Sequence, residues 1–123
     1  MGKRLTDEER AWRSLSEKDF QKQVLDLARL YGWKVAHFHD SRRQVKPGVF
    51  VGDKDAAGFP DLVLVRPPEL LFMELKRELG KTTELQDEWL ASLRACGLEA
   101  EVVRPSNWDW LRSRLGRGAK PPV

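Results

Sequence analysis

Two short apolar runs, residues 61–66 and 70–76, stand only three residues apart, with Pro67, Pro68 and Glu69 between them. Proline lacks the N–H that a central strand must donate and presets a turn, so the two runs are expected to double back as a hairpin of largely buried strands. With a turn of two or three residues, Asp61 falls opposite either Glu74 or Leu75, and the double proline leaves that choice open by one. The two carboxylates are close neighbours either way. Glu74 and Lys76 are separated by one residue and share a face, while Leu75 points to the other and anchors in the core. If the register sets Asp61 against Glu74, Asp61 joins that same face.

The rest of the chain supplies elements to pack against the hairpin. Thr6 with Glu9 forms a capping box for a short helix over about 7–15. Ser16 caps the next helix, in which Phe20, Val24, Leu27, Ala28 and Tyr31 recur at helical spacing until Gly32. Trp33, Val35 and His37 then alternate with Lys34, Ala36 and Phe38 as in a strand. Apart from Val49 to Val51, residues 40–58 show little periodicity and read as one long loop, of a length more often functional than idle. Thr83 with Gln86 opens another helix with an apolar stripe of Leu85, Trp89, Leu90, Leu93 and Cys96, stopped by Gly97. On that stripe Cys96 reads as a small core residue, and Trp12, Trp89, Trp108 and Trp110 as packing residues. Residues 98–104 are a further strand, and Ser106 or Asn107 begins a last helix with Trp108, Leu111 and Leu115. The order helix, strand, hairpin, helix, strand, helix gives an α/β class with a mixed sheet of about four strands flanked by helices.

A chain of 123 residues, 41% apolar with five Trp and five Phe, has material for one core and one domain. Its longest apolar runs, 62–65 and 70–73, fall far short of the ~20 residues of a membrane helix. The charged N-terminus carries no apolar secretory core and Cys96 has no disulfide partner, so an intracellular location is expected, in cytoplasm or nucleoid. The net charge of +3 is a weak sign of a polyanionic partner. Its distribution says more: Arg112, Arg114, Arg117 and Lys120 stand at the C-terminal end with no acid among them, as mobile counter-charges. Residues 116–123 are accordingly read as a flexible basic tail, and 1–15 as a lead-in helix to the domain at 16–115.

Asp61, Glu74 and Lys76 carry the chemistry. Two adjacent carboxylates repel unless a cation sits between them, and hard oxygen ligands suit Mg²⁺ or Mn²⁺. A lysine beside such a metal orients or deprotonates a water, or neutralises charge on a phosphate, and the set describes metal-assisted phosphodiester hydrolysis. The plainer reading is a strand-capping Asp61 and a surface ion pair of Glu74 with Lys76. His37 and His39 alternate like a zinc pair but lack a further Cys or His, so a structural or DNA-facing role suits them better.

The strings Gly58-Phe59-Pro60-Asp61-Leu62-Val63-Leu64-Val65 and Leu71-Phe72-Met73-Glu74-Leu75-Lys76 resemble the second and third motifs of the PD-(D/E)xK nuclease superfamily, and most closely its VRR-NUC (virus-type replication-repair nuclease) family. The resemblance runs over about 16–110 and takes in Glu17 with Gln21 on the first long helix, Tyr31-Gly32-Trp33, and Gln86 ahead of Trp89-Leu90. It implies a restriction-endonuclease-like fold and a metal-dependent deoxyribonuclease, structure-specific for branched, flap or junction DNA. It also implies a homodimer and allows a phage-encoded source. The metal, Mg²⁺ or Mn²⁺, would be held by Asp61, Glu74 and the backbone carbonyl of Leu75, with Glu17 ligating directly or through water. Lys76 would serve the water or the phosphate, and Gln86 would support the site. Gln21 shares a helical face with Glu17 and would contact the DNA. Arg42, Arg43, Lys46 and Lys54 would track DNA phosphates. Helix-dipole stabilisation also accounts for Glu17, and the capping box for Gln86. A catalytically silent DNA-binding module of a replication or recombination assembly is the alternative.

Overall fold

The computed structural model describes residues 4–38, 43–46, 49–51 and 54–117, with the backbone alone at 43–46, 49–51 and 54. Helices α1 (Asp7–Ser14) and α2 (Glu17–Leu30) come first, then strands β1 (Lys34–His37), β2 (Arg43–Lys46) and β3 (Val49–Val51). A 3-10 turn at Lys54–Ala56 leads to the hairpin of β4 (Leu62–Arg66) and β5 (Glu69–Leu75). Helix α3 (Glu84–Ala95), strand β6 (Glu99–Val103), a 3-10 turn at Pro105–Asn107 and helix α4 (Trp108–Gly116) complete the order.

The sequence signals that start these elements act as caps. Thr6 and Glu9 close a reciprocal capping box on α1, Ser16 accepts the N–H of Asp19 on α2, and Thr83 and Gln86 close a second box on α3. Each satisfies N–H groups that the first helical turn leaves without partners. None of the described helices is long and apolar enough to cross a membrane.

Among the described residues the main sheet has four strands in the order β1-β4-β5-β6. Pairing is antiparallel from β1 to β4 and from β4 to β5, but parallel from β5 to β6, as a helical crossover through α3 requires. This is the mixed α/β sheet expected. Alternation along the hairpin separates two apolar clusters. Leu62, Leu64, Leu71, Met73 and Leu75 pack with Phe20, Val24 and Ala28 of α2 and Leu111 and Leu115 of α4. On the other face Phe72 packs with Leu90 of α3 and Ala100, flanked by Phe59 and Val63.

Several expectations need correction. The supposed long loop contains the antiparallel pair β2–β3, with an irregular register between Gln44 and Lys46. Val45, Val49 and Val51 suit strands and Pro47-Gly48 is a turn signal, but the surrounding glycines and bases hid the pattern. Cys96 is exposed rather than buried, lying just past the last turn of α3 as its C-cap; Leu90 alone of the stripe is fully buried, and Leu85 is also exposed. Trp110 lies on the exposed side of α4, while Trp12, Trp89 and Trp108 are half-buried as expected.

Arg114 departs furthest from expectation. Far from a mobile counter-charge, it is 7% exposed. Its Nε donates to Glu99 at 2.7 Å and its Nη1 to Glu69 at 2.7 Å, bringing in acids remote in sequence. Burial works against its charge, but the two carboxylates outweigh that penalty and strengthen its hold on the proton. Arg66 completes the cluster: it lies over the Trp33 ring at 4.4 Å, pairs with Glu69, and donates to the carbonyls of Tyr31 and Leu115. The clasp thus ties α2, the β4–β5 turn and α4 together at one end of the sheet. Arg112 is exposed, the backbone carbonyl of Arg117 accepts from Arg66, and Lys120 lies outside the described residues.

Arg114→Ala should therefore destabilise the fold by about 2–3 kcal/mol, since it takes this partner from Glu99 and leaves Glu69 with Arg66 alone. Urea unfolding at neutral pH measures the loss. Hydrogen bonds from Arg66 and Arg114 hold the Glu69 carboxyl below its ordinary 4.5. Its stabilisation is therefore present above 4.5 and lost as pH falls through the depressed folded-state value, so the gap between wild type and variant should narrow on acidification.

Candidate active site

At the opposite end of the sheet from the clasp, Leu62 faces Met73 across the hairpin, and continuing that register sets Asp61 against Glu74. The strand pleat puts both on the α3 side, with Leu75 buried on the other. The side chain of Asp61 is fastened by the N–H of Leu75, which donates to its Oδ2 at 2.9 Å. Glu74 is only 2% exposed, an unusual setting for a carboxylate. Its Oε1 accepts from Nε2 of Gln86 at 2.8 Å and lies 3.8 Å from Nζ of Lys76. Its Oε2 is buried with no hydrogen-bond partner among the described residues.

The electrostatics follow from this geometry. Burial, then the like charge of Asp61, pushes Glu74 up to about 8 against the pull of Lys76. Asp61 is raised as well, chiefly by burial, although the Leu75 N–H and Lys76 favour its anion. Without a cation the pair therefore retains a proton that two free carboxylates would have released at neutral pH.

Gln86 needs no choice between cap and site. Its Oε1 accepts the Thr83 N–H at 2.9 Å while its Nε2 reaches Glu74, so one amide does both. A glutamate there would close the same capping box but turn a third carboxylate on the buried pair. Gly58 sets the approach of α3: its φ of +84° suits glycine, and an added Cβ would lie 2.7 Å from the carbonyl carbon of Leu85 and 2.9 Å from the Gln86 nitrogen. Any side chain at 58 would push back the turn that carries Gln86.

Asp61, Glu74, Lys76 and Gln86 line a cleft of ≈ 520 Å³, together with Glu17, Lys18 and Gln21 of α2 and His37 and Phe38 at the end of β1. Glu17 is exposed on its wall, and its charge raises Glu74 slightly. Gln21 turns to His37, with 2.6 Å between the two Nε2 atoms. Lys18, His37 and Phe38 are cleft residues that the motifs did not single out as site residues, although Lys18 and Gln21 have the spacing of one helical face. A smaller hollow of ≈ 170 Å³ between Trp12, Phe20 and Trp108 carries Glu8 and Asp109, both exposed rather than buried. Arg42 and His39 lie outside the described residues, as do the side chains of Arg43, Lys46 and Lys54.

Among the described residues no three His, Cys, Asp or Glu side chains converge as a metal-holding group. The acidic side chains that line the cleft are Asp61, Glu74 and, on its wall, Glu17. They nonetheless fit a hard divalent cation, because the orphaned Oε2 of Glu74 is a buried acceptor in need of a positive partner.

Glu74 also makes stability depend on pH. Since its folded-state value of about 8 stands above the ordinary 4.5, its contribution is complete below 4.5 and is lost as pH climbs through about 8. Metal-free wild type should lose several degrees of Tm between pH 6 and about 9, and Glu74→Gln should flatten that decline. Mg²⁺ or Mn²⁺ should restore wild-type Tm most at the alkaline end and do little for the variant. A wild-type curve as flat as the variant's would contradict the assignment of the buried charge.

No curated protein and no solved structure matches the chain. The family model of the VRR-NUC domain matches residues 52–107, just under half of the chain. The matched stretch includes Gly58, Asp61, Glu74, Lys76 and Gln86, whereas Glu17, Gln21, His37 and Phe38 precede it. The segment that builds the carboxylate pair is thus similar to the VRR-NUC domain, a domain of the nuclease type.

Proposed function

We propose that this protein is a divalent-metal-dependent DNA endonuclease that hydrolyses phosphodiester bonds in branched, flap or junction DNA. It acts as a homodimer inside the cell, with residues 16–115 as the nuclease unit, 1–15 as its lead-in and 116–123 as a basic extension. The reading rests on the half-buried Asp61 beside the buried Glu74, whose orphaned oxygen opens a need for a cation beside Lys76.

Bound Mg²⁺ or Mn²⁺ would supply Lewis-acid polarisation and a lowered pKa for water. Asp61, Glu74 and the Leu75 carbonyl would hold it, with Glu17 contributing directly or through water. Gln86 occupies Oε1 of Glu74 and so keeps the carboxylate from rotating. Lys76 offsets the charge that builds on the phosphate oxygens as the attacking water adds, or takes up the proton of that water. On the wall, Lys18 offers a further phosphate contact, and Gln21 holds the His37 ring toward α2. Arg42, Arg43, Lys46 and Lys54 extend the phosphate track.

A cleavage panel of linear, nicked, flap and four-way-junction DNA with Mg²⁺, Mn²⁺ or EDTA tests the reading. Cutting of branched substrates, abolished by EDTA, is expected; binding with no cleavage of any of them would leave a silent DNA-binding module. Asp61→Asn and Glu74→Gln should each lower turnover by at least about 10³-fold with DNA affinity nearly unchanged, and Glu17→Gln should cost less. Lys76→Ala should reduce kcat far more than it weakens substrate binding. Gln86→Glu should leave α3 capped, by circular dichroism, yet impair cleavage about 10-fold or more by setting a further charge against Glu74.

A further inference from the structure

Phe38 follows β1 directly and is 47% exposed, yet it lines the charged cleft rather than an apolar surface. A lone exposed aromatic is ordinary. Phe38 differs because its position is held from two directions. Its ring meets Phe59 edge to face at 5.5 Å and 86°. Phe59 is itself wedged against Phe72 at 6.1 Å and Trp89 at 5.0 Å, and the Trp89 indole donates to the Ala57 carbonyl at 3.0 Å. From the backbone side, the Phe38 N–H donates to the carbonyl of Asp61 at 2.8 Å. One hydrogen bond thus separates the root of this ring from the residue whose carboxylate borders Glu74.

A supported π-face among Glu17, Lys18 and Lys76 complements neither phosphate nor sugar, which hydrogen bonds and charge would recognise. A nucleobase is the component of DNA with a flat apolar face, and in a duplex both of its faces are already stacked. We propose that Phe38 is a stacking platform for an unpaired nucleobase next to the phosphate held at Asp61 and Glu74. Its substrates are accordingly DNAs that present a single-stranded nucleotide at that point. The inference takes the position of the phosphate from the nuclease reading and adds the feature of the DNA that the cleft selects.

Binding of DNA carrying 2-aminopurine, measured in EDTA so that no chemistry intervenes, tests it. The DNAs are a single strand, a flap with the probe at its junction, and a fully paired duplex; the proteins are wild type, Phe38→Leu and Phe38→Trp, each checked by circular dichroism. Stacking quenches the probe, so wild type should quench it in the strand and the flap. Phe38→Leu, which keeps apolar bulk but removes the π-face, should lose most of that quench and bind both DNAs about 5- to 50-fold more weakly, with duplex affinity within twofold. Phe38→Trp should restore both. Equal effects of Phe38→Leu on all three DNAs, no effect on any, or no restoration by Phe38→Trp would overturn the platform. Parallel cleavage assays with Mg²⁺ and Mn²⁺ keep the two ideas apart. Quenching that depends on Phe38 in a protein that cuts nothing would sink the nuclease reading alone, and cleavage indifferent to Phe38 with no quench would sink the platform alone.

Discussion

Burying a carboxylate as deeply as Glu74 beside a second carboxylate costs several kcal/mol when no cation is present, and the surrounding structure is arranged so that this pair persists. Leu71, Met73 and Leu75 anchor β5 on one face of the sheet, and Phe72 does so on the other, so Glu74 cannot move outward without dismantling core on both sides. The Leu75 N–H fastens Asp61, and Gln86 fastens Glu74. A polar pair so constrained, with one oxygen left unsatisfied, is poised for a ligand rather than for stability.

The two ends of the sheet divide the work. At one end Arg66, Arg114, Glu69 and Glu99 form a satisfied ionic clasp over Trp33, closing α4 and the end of α2 onto the hairpin. At the other end two like charges, Asp61 and Glu74, stand side by side next to Lys76 and face a cleft. Helix α2 touches both: the carbonyl of Tyr31 at its C-terminal end accepts from Arg66, while Glu17 and Gln21 from its first turns line the cleft. Rigid elements that are locked at a distance in this way present the side chains of the cleft with little freedom to drift.

Much of this was legible locally. Both capping boxes, the Ser16 cap, the prolines of the hairpin turn and the apolar spacing of α2 are short-range signals, since each concerns groups within about four residues of one another. The β2–β3 pair was missed because its strands are three and four residues long and sit among turn formers. Cys96 was misplaced because helical spacing does not say where a helix leaves its sheet. Arg114 was misjudged because both of its acids come from other elements, 15 and 45 residues away.

By itself the sequence determined which residue types meet across the hairpin: two apolar runs around Pro67-Pro68 can pair only in adjacent registers, and both bring Asp61 near Glu74. Tertiary structure decided the rest. It selected the register that puts the two carboxylates on one face, buried Glu74 under α3, and let a single amide serve both cap and carboxylate. It also brought Phe38 to the carbonyl of Asp61 through the pairing of β1 with β4. Periodicity and caps record contacts along the chain, whereas burial, and with it the proton affinity of a carboxylate, is set by atoms that only the packed fold brings within a few ångströms.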